Sequence, residues 1–323
     1  MTRISIHSLR FALIGLTTAL FTACAAEGGP DGGADNLPDR GITGWVRSAT
    51  DNAKPYVLTV DDALLGGPSA LVVADKVVVY GHRAFADGSF DLFRAEGDAT
   101  GATFSTPVAL GIAGRDPSVS IVAGVYWLAY LATDSDTIVI ATSPDGTTFT
   151  PLTTSGIAAD RAAPSLIVED ARVRLYLSTG TTLVETEAVR SEALSFGPEV
   201  EVLAPQTGCI DASDKPKECW DQGAVVDGEV RRAHSPDGSV VYRLFYRGKV
   251  GGDTDIGFAA SYDGVTFARF PYNPVLTGSP DERSPTSIIA DDTYVLFWDE
   301  ARATNSGGLL RASHIPTAPS DRW

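Results

Sequence analysis

The segment Ser143-Pro-Asp-Gly-Thr-Thr-Phe149 returns as Ser261-Tyr-Asp-Gly-Val-Thr-Phe267, and each copy closes a longer repeated block. A block opens with a Pro- or Gly-marked apolar strand and crosses a short polar turn to an aromatic-rich strand. A third strand, residues 138–143 or 256–261, then runs into the Asp-Gly turn. Self-similarity at this spacing marks a repeat architecture. An Asp-Gly pair between strands is a strong hairpin signal, and it predicts positive φ at both central turn positions.

The block openings align as Gly67-Pro68-Ser69, Asp116-Pro117-Ser118, Ala163-Pro164-Ser165, Gln222-Gly223-Ala224 and Ser284-Pro285-Thr286, spaced by 49, 47, 59 and 62 residues. The two long intervals hold the Cys209–Cys219 excursion, then residues 231–238 and 272–283. Each opening is followed by two β-rich runs joined at hairpin residues: Asp75, Gly124, Asp170, Asp237-Gly238 and Asp291-Asp292. Few stretches show helical periodicity. The expected fold is all-β, a five-bladed β-propeller of four-stranded antiparallel blades. The fifth block ends at residues 309–314 without an Asp-Gly hairpin, so it lacks an outer strand. Residues 56–60 or 45–47 are expected to supply it, because an open blade edge would expose unpaired backbone groups.

The N-terminus reads differently. Arg3 and Arg10 precede an apolar run, residues 11–21, too short to span a bilayer. The run ends in Phe21-Thr-Ala-Cys24, which resembles a bacterial lipobox and implies lipidation at Cys24; the usual residue at the first position is Leu. Ala25, rather than Asp, implies no inner-membrane retention. The expectation is an exported chain anchored through lipid to the cell envelope, at the outer membrane. Residues 1–23 are its signal peptide, 24–43 a Gly-, Asp- and Pro-rich tether, and 44–323 the propeller. Removing residues 1–23 takes away two arginines and no acid, moving the net charge from −16 to −18. Such a chain argues against nucleic acid and polyanionic partners. Cys209 and Cys219, a pair in an exported protein, are expected to form a disulfide.

In a propeller the first strand of each blade lines the central channel, so residues just before each opening are the candidate site. These include Arg115 and Asp116, Asp160 and Arg161, Trp220 and Asp221, and Asp281, Glu282 and Arg283. Carboxylates accept from paired sugar hydroxyls, guanidinium groups donate in fixed geometry, and an aromatic face stacks on a sugar ring. Asp116, Asp221 and Glu282 are the candidate catalytic acids; Arg115, Arg161, Trp220 and Arg283 are the candidate substrate-binding residues. No phosphate-binding loop opens a helix, and no metal set is indicated.

Several of these segments carry a resemblance. Asp116-Pro-Ser-Val119, Tyr126-Trp-Leu-Ala-Tyr130, residues 138–149, Leu244-Phe-Tyr246, Ile256-Gly-Phe-Ala-Ala-Ser-Tyr-Asp-Gly264 and Asn273-Pro-Val-Leu276 resemble five-bladed glycosidase propellers. That superfamily includes glycoside hydrolase family 43, the invertase and levansucrase group, and the mannoside phosphorylases. The resemblance covers residues 56–314 and implies a carbohydrate ligand and, in some relatives, a channel calcium ion; the chain is expected to need no cofactor and to be a monomer. Family 43 enzymes invert with a base Asp on blade one, an orienting Asp on blade two and an acid Glu on blade three. Here Asp116 fills the second position, whereas Gly66 or Gly67 falls at the first and Ala162 or Ala163 at the third. Three readings follow: a glycan-binding lipoprotein with a degenerate catalytic set, an active glycoside hydrolase with relocated acids, and an envelope protein-interaction scaffold.

Overall fold

The computed structural model describes residues 45–47, 56–210, 218–234, 238–277, 282–290, 293–300 and 308–314. Cys24, the signal and tether segments, Asp281 and the turn residues Asp237, Asp291 and Asp292 lie outside them. Strand β1 (Val46–Arg47) precedes the first blade. Blade I is β2 (Leu64–Val73), β3 (Lys76–Ala84), β4 (Phe90–Glu96) and β5 (Val108–Ala109). Blade II is β6 (Gly114–Val122), β7 (Val125–Ala132), β8 (Thr137–Ser143) and β9 (Thr150–Pro151). After a short strand, β10 (Thr153–Ser155), blade III is built from β11 (Ala162–Val168), β12 (Arg172–Ser178) and β13 (Leu183–Val189). The small β14 (Ala193–Ser195) pairs in parallel with β10, and β15 (Val200–Leu203) completes blade III. Blade IV is β16 (Ala224–His234), β17 (Val240–Val250), β18 (Asp253–Ser261) and β19 (Ala268–Arg269). Blade V is β20 (Glu282–Ala290), β21 (Thr293–Glu300), β22 (Leu309–His314) and β1. Five four-stranded antiparallel blades form the expected propeller.

The ring closes with both expected segments. Val46 and Arg47 pair with Ser313 and Ala312, while Leu58 bridges Leu309 and Val57 donates to its carbonyl. Segments from before the first blade and after the fourth thus share blade V, and β1 supplies its fourth strand.

The core is divided among the blade contacts. Val78, Tyr80 and Leu92 meet Val119 and Leu128 between blades I and II. Ile140 meets Leu175 between II and III, and Tyr176 meets Leu244 between III and IV. Phe258 meets Leu296 and Trp298 between IV and V, and Phe297 meets Val79 and Phe93 between V and I. Period-two strands make this possible, since each blade presents an apolar row to both neighbours.

Two features of the repeat acquire a physical cause. In the Asp145-Gly146 and Asp263-Gly264 turns only the glycine has positive φ, +73° at Gly146 and +77° at Gly264, so the expected two-residue turn is corrected there. The aspartate instead caps the loop: Asp145 Oδ1 accepts from Thr147 N (2.8 Å) and Thr148 N (3.0 Å), and Asp263 repeats this with Val265 and Thr266. The previous blade reads the turn, because Tyr80 Oη donates to Gly146 O at 2.7 Å and Tyr176 Oη to Gly264 O at 2.9 Å. A Cβ on either glycine would lie within 2.9 Å of that hydroxyl.

The hydroxyl following each opening Pro forms the second device. Ser69 Oγ accepts from Val119 N of blade II (3.0 Å), Ser118 from Leu166 N of III (2.9 Å), and Ser165 from Val230 N of IV (2.8 Å). Glu229 Oε2 accepts from Ser287 N of V (2.9 Å), and Thr286 Oγ1 accepts from Ala70 N of I (3.2 Å). A closed belt of five hydrogen bonds therefore girdles the channel, every acceptor buried.

Candidate functional site

All five inner strands carry a β-bulge at the same level, between Gly66 and Ser69, Arg115 and Ser118, Ala162 and Ser165, Val226 and Glu229, and Arg283 and Thr286. One residue of each bulge has positive φ: Gly67 (+55°), Asp116 (+52°), Ala163 (+46°), Asp227 (+49°) and Ser284 (+47°). For the four that are not glycine this is a strained conformation, of the kind that gathers at functional sites. These positions ring a small cavity of about 30 Å³ at the channel mouth. The blade IV opening is thus Asp227-Gly228-Glu229, not Gln222-Gly223-Ala224. The inner strand there begins three residues before its bulge and runs to His234, so residues 231–234 are strand rather than excursion.

Asp116 and Asp227 face a third carboxylate that the sequence reading missed. Asp299, near the end of β21, accepts from Gly67 N at 2.6 Å. A Cβ on Gly66 would stand 2.8 Å from Asp299 Oδ2 and 2.7 Å from His82 Nε2, so these two side chains occupy the space that the blade I glycines leave open. The position on blade I that lacks its own acid is therefore supplied with one from blade V. Burial drives the Asp299 carboxyl up to about 7, with Asp227 and Asp116 adding to the rise and Arg283 and the Gly67 N–H opposing it. Burial also raises Asp116, against Arg115, Arg247 and Arg283, and raises Asp227, against Arg247, Lys249 and Arg283.

His82 accepts from Asp116 N at 3.1 Å through Nδ1. Its burial, with Arg115 and Arg283 nearby, holds the imidazole down to about 3, so it is neutral at physiological pH. Arg247 binds Asp227 at 2.7 Å, and Arg115 stands 3.9 Å from Asp116. The side chains of Asp116 and Asp227 are 20 and 17% exposed, whereas Asp299 is a buried residue, so the first two open to the mouth and the third lies beneath. The cluster combines hydrogen-bond acceptors, fixed guanidinium donors and an uncharged imidazole, a donor and acceptor set suited to hydroxyl-rich molecules.

Of the residues singled out from sequence, Arg115, Asp116 and Arg283 meet at this mouth. Arg161 is drawn to the outer edge of blade III, where Nη2 binds Glu199 at 2.7 Å and Nη1 binds Asp160 at 2.6 Å. Asp221 is wholly buried in the outer half of blade IV and accepts from Arg269 Nε at 3.0 Å. Trp220 packs on Tyr246, with ring centroids 5.5 Å apart, and covers Gly248 and Gly257. Glu282 is also buried; it precedes Arg283 on a regularly paired stretch, so the two side chains leave β20 on opposite faces. The expected convergence of seven residues is corrected to three, joined by His82, Asp227, Arg247 and Asp299. Cys209 and Cys219 are bridged, with Cα atoms 5.3 Å apart.

Below the mouth the channel is plugged. Arg231 donates to Val119 O (3.0 Å), Ser69 Oγ (3.1 Å) and Ala70 O (2.9 Å), and pairs with Glu229, which also accepts from Thr286 Oγ1 at 2.6 Å. One guanidinium therefore ties blades I, II, IV and V together. A channel calcium ion does not fit at that level, because a cation already occupies it. Among the described residues no group of three or more His, Cys, Asp or Glu side chains is placed to hold a metal ion.

No protein-family model and no curated protein matches the sequence. Solved structures do match. The catalytic domain of the Coprinopsis cinerea family 62 α-L-arabinofuranosidase aligns with a TM-score of 0.62 at 14% identity, over 83% of this chain and 96% of that one. A glycosyl hydrolase from Bacteroides ovatus gives 0.63 at 14%, over 88 and 97%. A thermostable family 43 glycoside hydrolase gives 0.57 at 13%, over 81 and 91%. The chain has the fold of these glycosidase propellers.

Proposed function

We propose that the protein binds a carbohydrate at the bulged mouth of the channel. The observation that carries this reading is the ring of five equivalent bulges, which gathers Asp116 and Asp227, with Asp299, His82, Arg115, Arg247 and Arg283, into one partly open polar cup. A fold shared with glycosidases supports it as analogy, since fold alone does not fix function. Glycine at Gly67 and alanine at Ala163, where the family places its base and acid, favour binding over turnover, and Arg247 engages the Asp227 carboxylate at 2.7 Å. The test is a glycan-array and calorimetric comparison of the secreted domain with Asp116→Asn and Asp227→Asn. A loss of at least tenfold in affinity is expected from each; absence of any glycan ligand, or ligands indifferent to both changes, would overturn the reading.

Hydrolysis is the second reading, and Asp299 favours it. A carboxyl poised near 7 can hold and release a proton at working pH, as a general acid must. If the site turns over aryl arabinosides, xylosides or mannosides, Asp299→Asn should abolish turnover and leave binding within a few fold.

The anchor belongs to the same proposal. Residues 1–23 direct export, Cys24 takes the lipid, and residues 24–43 tether the propeller domain to the envelope, its support being the lipobox-like Phe21-Thr-Ala-Cys24. The native gene product should incorporate labelled palmitate, and Cys24→Ser should abolish incorporation. An unmodified soluble product would rule the anchor out.

A further inference from the structure

The inner strands begin at the bulged mouth and end at the opposite face of the propeller. There, beyond the Arg231 plug, the far ends of β6, β11 and β16 border a cavity of about 1170 Å³ shared by blades II, III and IV. It is far larger than the cavity at the mouth and has room for several rings of a small ligand.

Tyr262 stands in its lining and is 70% exposed. The matching turn of blade II has Pro144 at this position, so the repeat itself does not require an aromatic residue. The turn that displays Tyr262 is fixed on both sides. Ser261 Oγ accepts from Gly264 N at 2.9 Å, and Asp263 Oδ1 accepts from Val265 N at 2.8 Å. From blade III, Arg174 Nη1 donates to Asp263 O at 2.9 Å. A large amphipathic ring is thus presented to solvent with little backbone freedom left to lose on binding.

The polar part of the lining is fixed as well. Glu169, which follows β11, accepts from Tyr242 Oη at 2.5 Å and from Arg172 Nε, and Arg232 Nε stands 3.6 Å from it. The Arg232 side chain is 41% exposed, and among the described residues its guanidinium donates no hydrogen bond. Charge then decides the ligand class. Each of the four arginines in the lining has a carboxylate partner: Arg172 and Arg232 on Glu169, Arg174 on Glu185, and Arg231 on Glu229. No unpaired cation remains to call for an anion, while open N–H groups and carboxylate lone pairs remain for hydroxyls. A protein partner would need an apolar centre around its anchor. Tyr262 is instead the only large hydrophobic side chain of the lining that is exposed.

We propose that this cavity is a second saccharide site, taking a neutral oligosaccharide. Tyr262 covers the C–H face of one sugar ring, Arg232 donates to its hydroxyls, and Glu169 accepts from them. None of these residues belongs to the mouth, so the two sites are independent. Where both are filled the protein is bivalent for glycan, with its sites at opposite ends of one channel.

The experiment titrates the secreted protein with neutral xylo-, arabino-, manno- and gluco-oligosaccharides by calorimetry, beside Asp116→Asn, Tyr262→Ala and the double variant. At least one oligosaccharide should still bind to Asp116→Asn. Adding Tyr262→Ala should weaken that binding about tenfold, the order expected for losing a stacked aromatic face. Tyr262→Trp keeps such a face and should hold affinity within about threefold. Arg232→Gln should weaken binding about fivefold, the order of one hydrogen bond from a charged donor. Thermal melting checks that each variant is folded. Binding that is lost with Asp116→Asn and indifferent to Tyr262→Ala would overturn the second site and leave the mouth as the glycan site. Binding that falls with Tyr262→Ala and is indifferent to Asp116→Asn would support the second site and remove the reading of the mouth. Peptides or acidic oligomers bound through Tyr262 in preference to neutral ones would overturn the ligand class proposed. Failure of every oligosaccharide would overturn both sites.

Discussion

Arg231→Met is expected to destabilise the propeller by about 3–5 kcal/mol, the cost of leaving a buried charge without its partner. The Glu229 carboxylate is 7% exposed and already raised by burial, against Arg231 and the hydrogen bonds from Thr286 and Ser287. Removing the guanidinium leaves that carboxylate facing the carbonyls of Ala70 and Val119, which lose their donor as well. Because the belt of hydrogen bonds passes through Glu229, the loss is felt at the contacts of blades IV, V and I together. Blades I to III carry serine at the belt position, so Glu229→Ser combined with Arg231→Met removes both charges and supplies the acceptor the other blades use. The double variant should recover at least half of the single variant's loss. Urea unfolding at pH 7 measures both quantities, and a single-variant effect under 1 kcal/mol would show that the plug does not hold the ring.

The belt explains how much of this molecule was readable beforehand. The Pro-Ser openings of blades I to III and the Pro-Thr opening of blade V repeat in sequence because each serves the same bulge and the same inter-blade bond. Fold, blade number and the closing strand therefore followed from local patterns. Blade IV departs in both residues, Gly228 for Pro and Glu229 for Ser, and Gln222-Gly223-Ala224 offered a nearer likeness at the wrong level. That likeness sets Asp221 at the level that Asp227 occupies. Trp220 and Asp221 then looked like mouth residues, although they pack beneath the outer strands of blade IV.

Asp299 was unreadable for a different reason. Its partner Gly67 is 232 residues away, and the contact exists only because the ring closes. The glycines were visible as an absence at the blade I acid position, but no local rule says which distant side chain fills the space. His82 likewise reaches Asp116 only through the packing of blade I on blade II, which no local pattern announces. Arg247 sits on a second strand, where alternation places it but does not say what it meets.

Neutralising Asp299 should make the protein more stable, by a margin that grows as pH rises from about 4 to about 7 and then holds. In the unfolded chain an aspartate titrates near 3.9. In the fold this one titrates at about 7. Between those values the folded protein keeps a proton that the unfolded chain has released, so stability falls as pH rises through the window and levels off above it. A rise of this size corresponds to a penalty of about 4 kcal/mol at most. Asp299→Asn keeps an oxygen for the Gly67 N–H and never acquires the charge. Variant and wild type should therefore melt together near pH 4, and at pH 8 the variant should be more stable by about 2–4 kcal/mol. Neutralising one carboxyl also eases Asp116 and Asp227, whose carboxyls lie within its field. Comparing variant with wild type at each pH cancels the titration of remote groups. A melting difference that stays flat from pH 4 to pH 8 would show that Asp299 is not held protonated by its surroundings. The expected slope would instead show that the fold tolerates a buried acid at the mouth at the expense of stability, which is the trade-off a working site imposes.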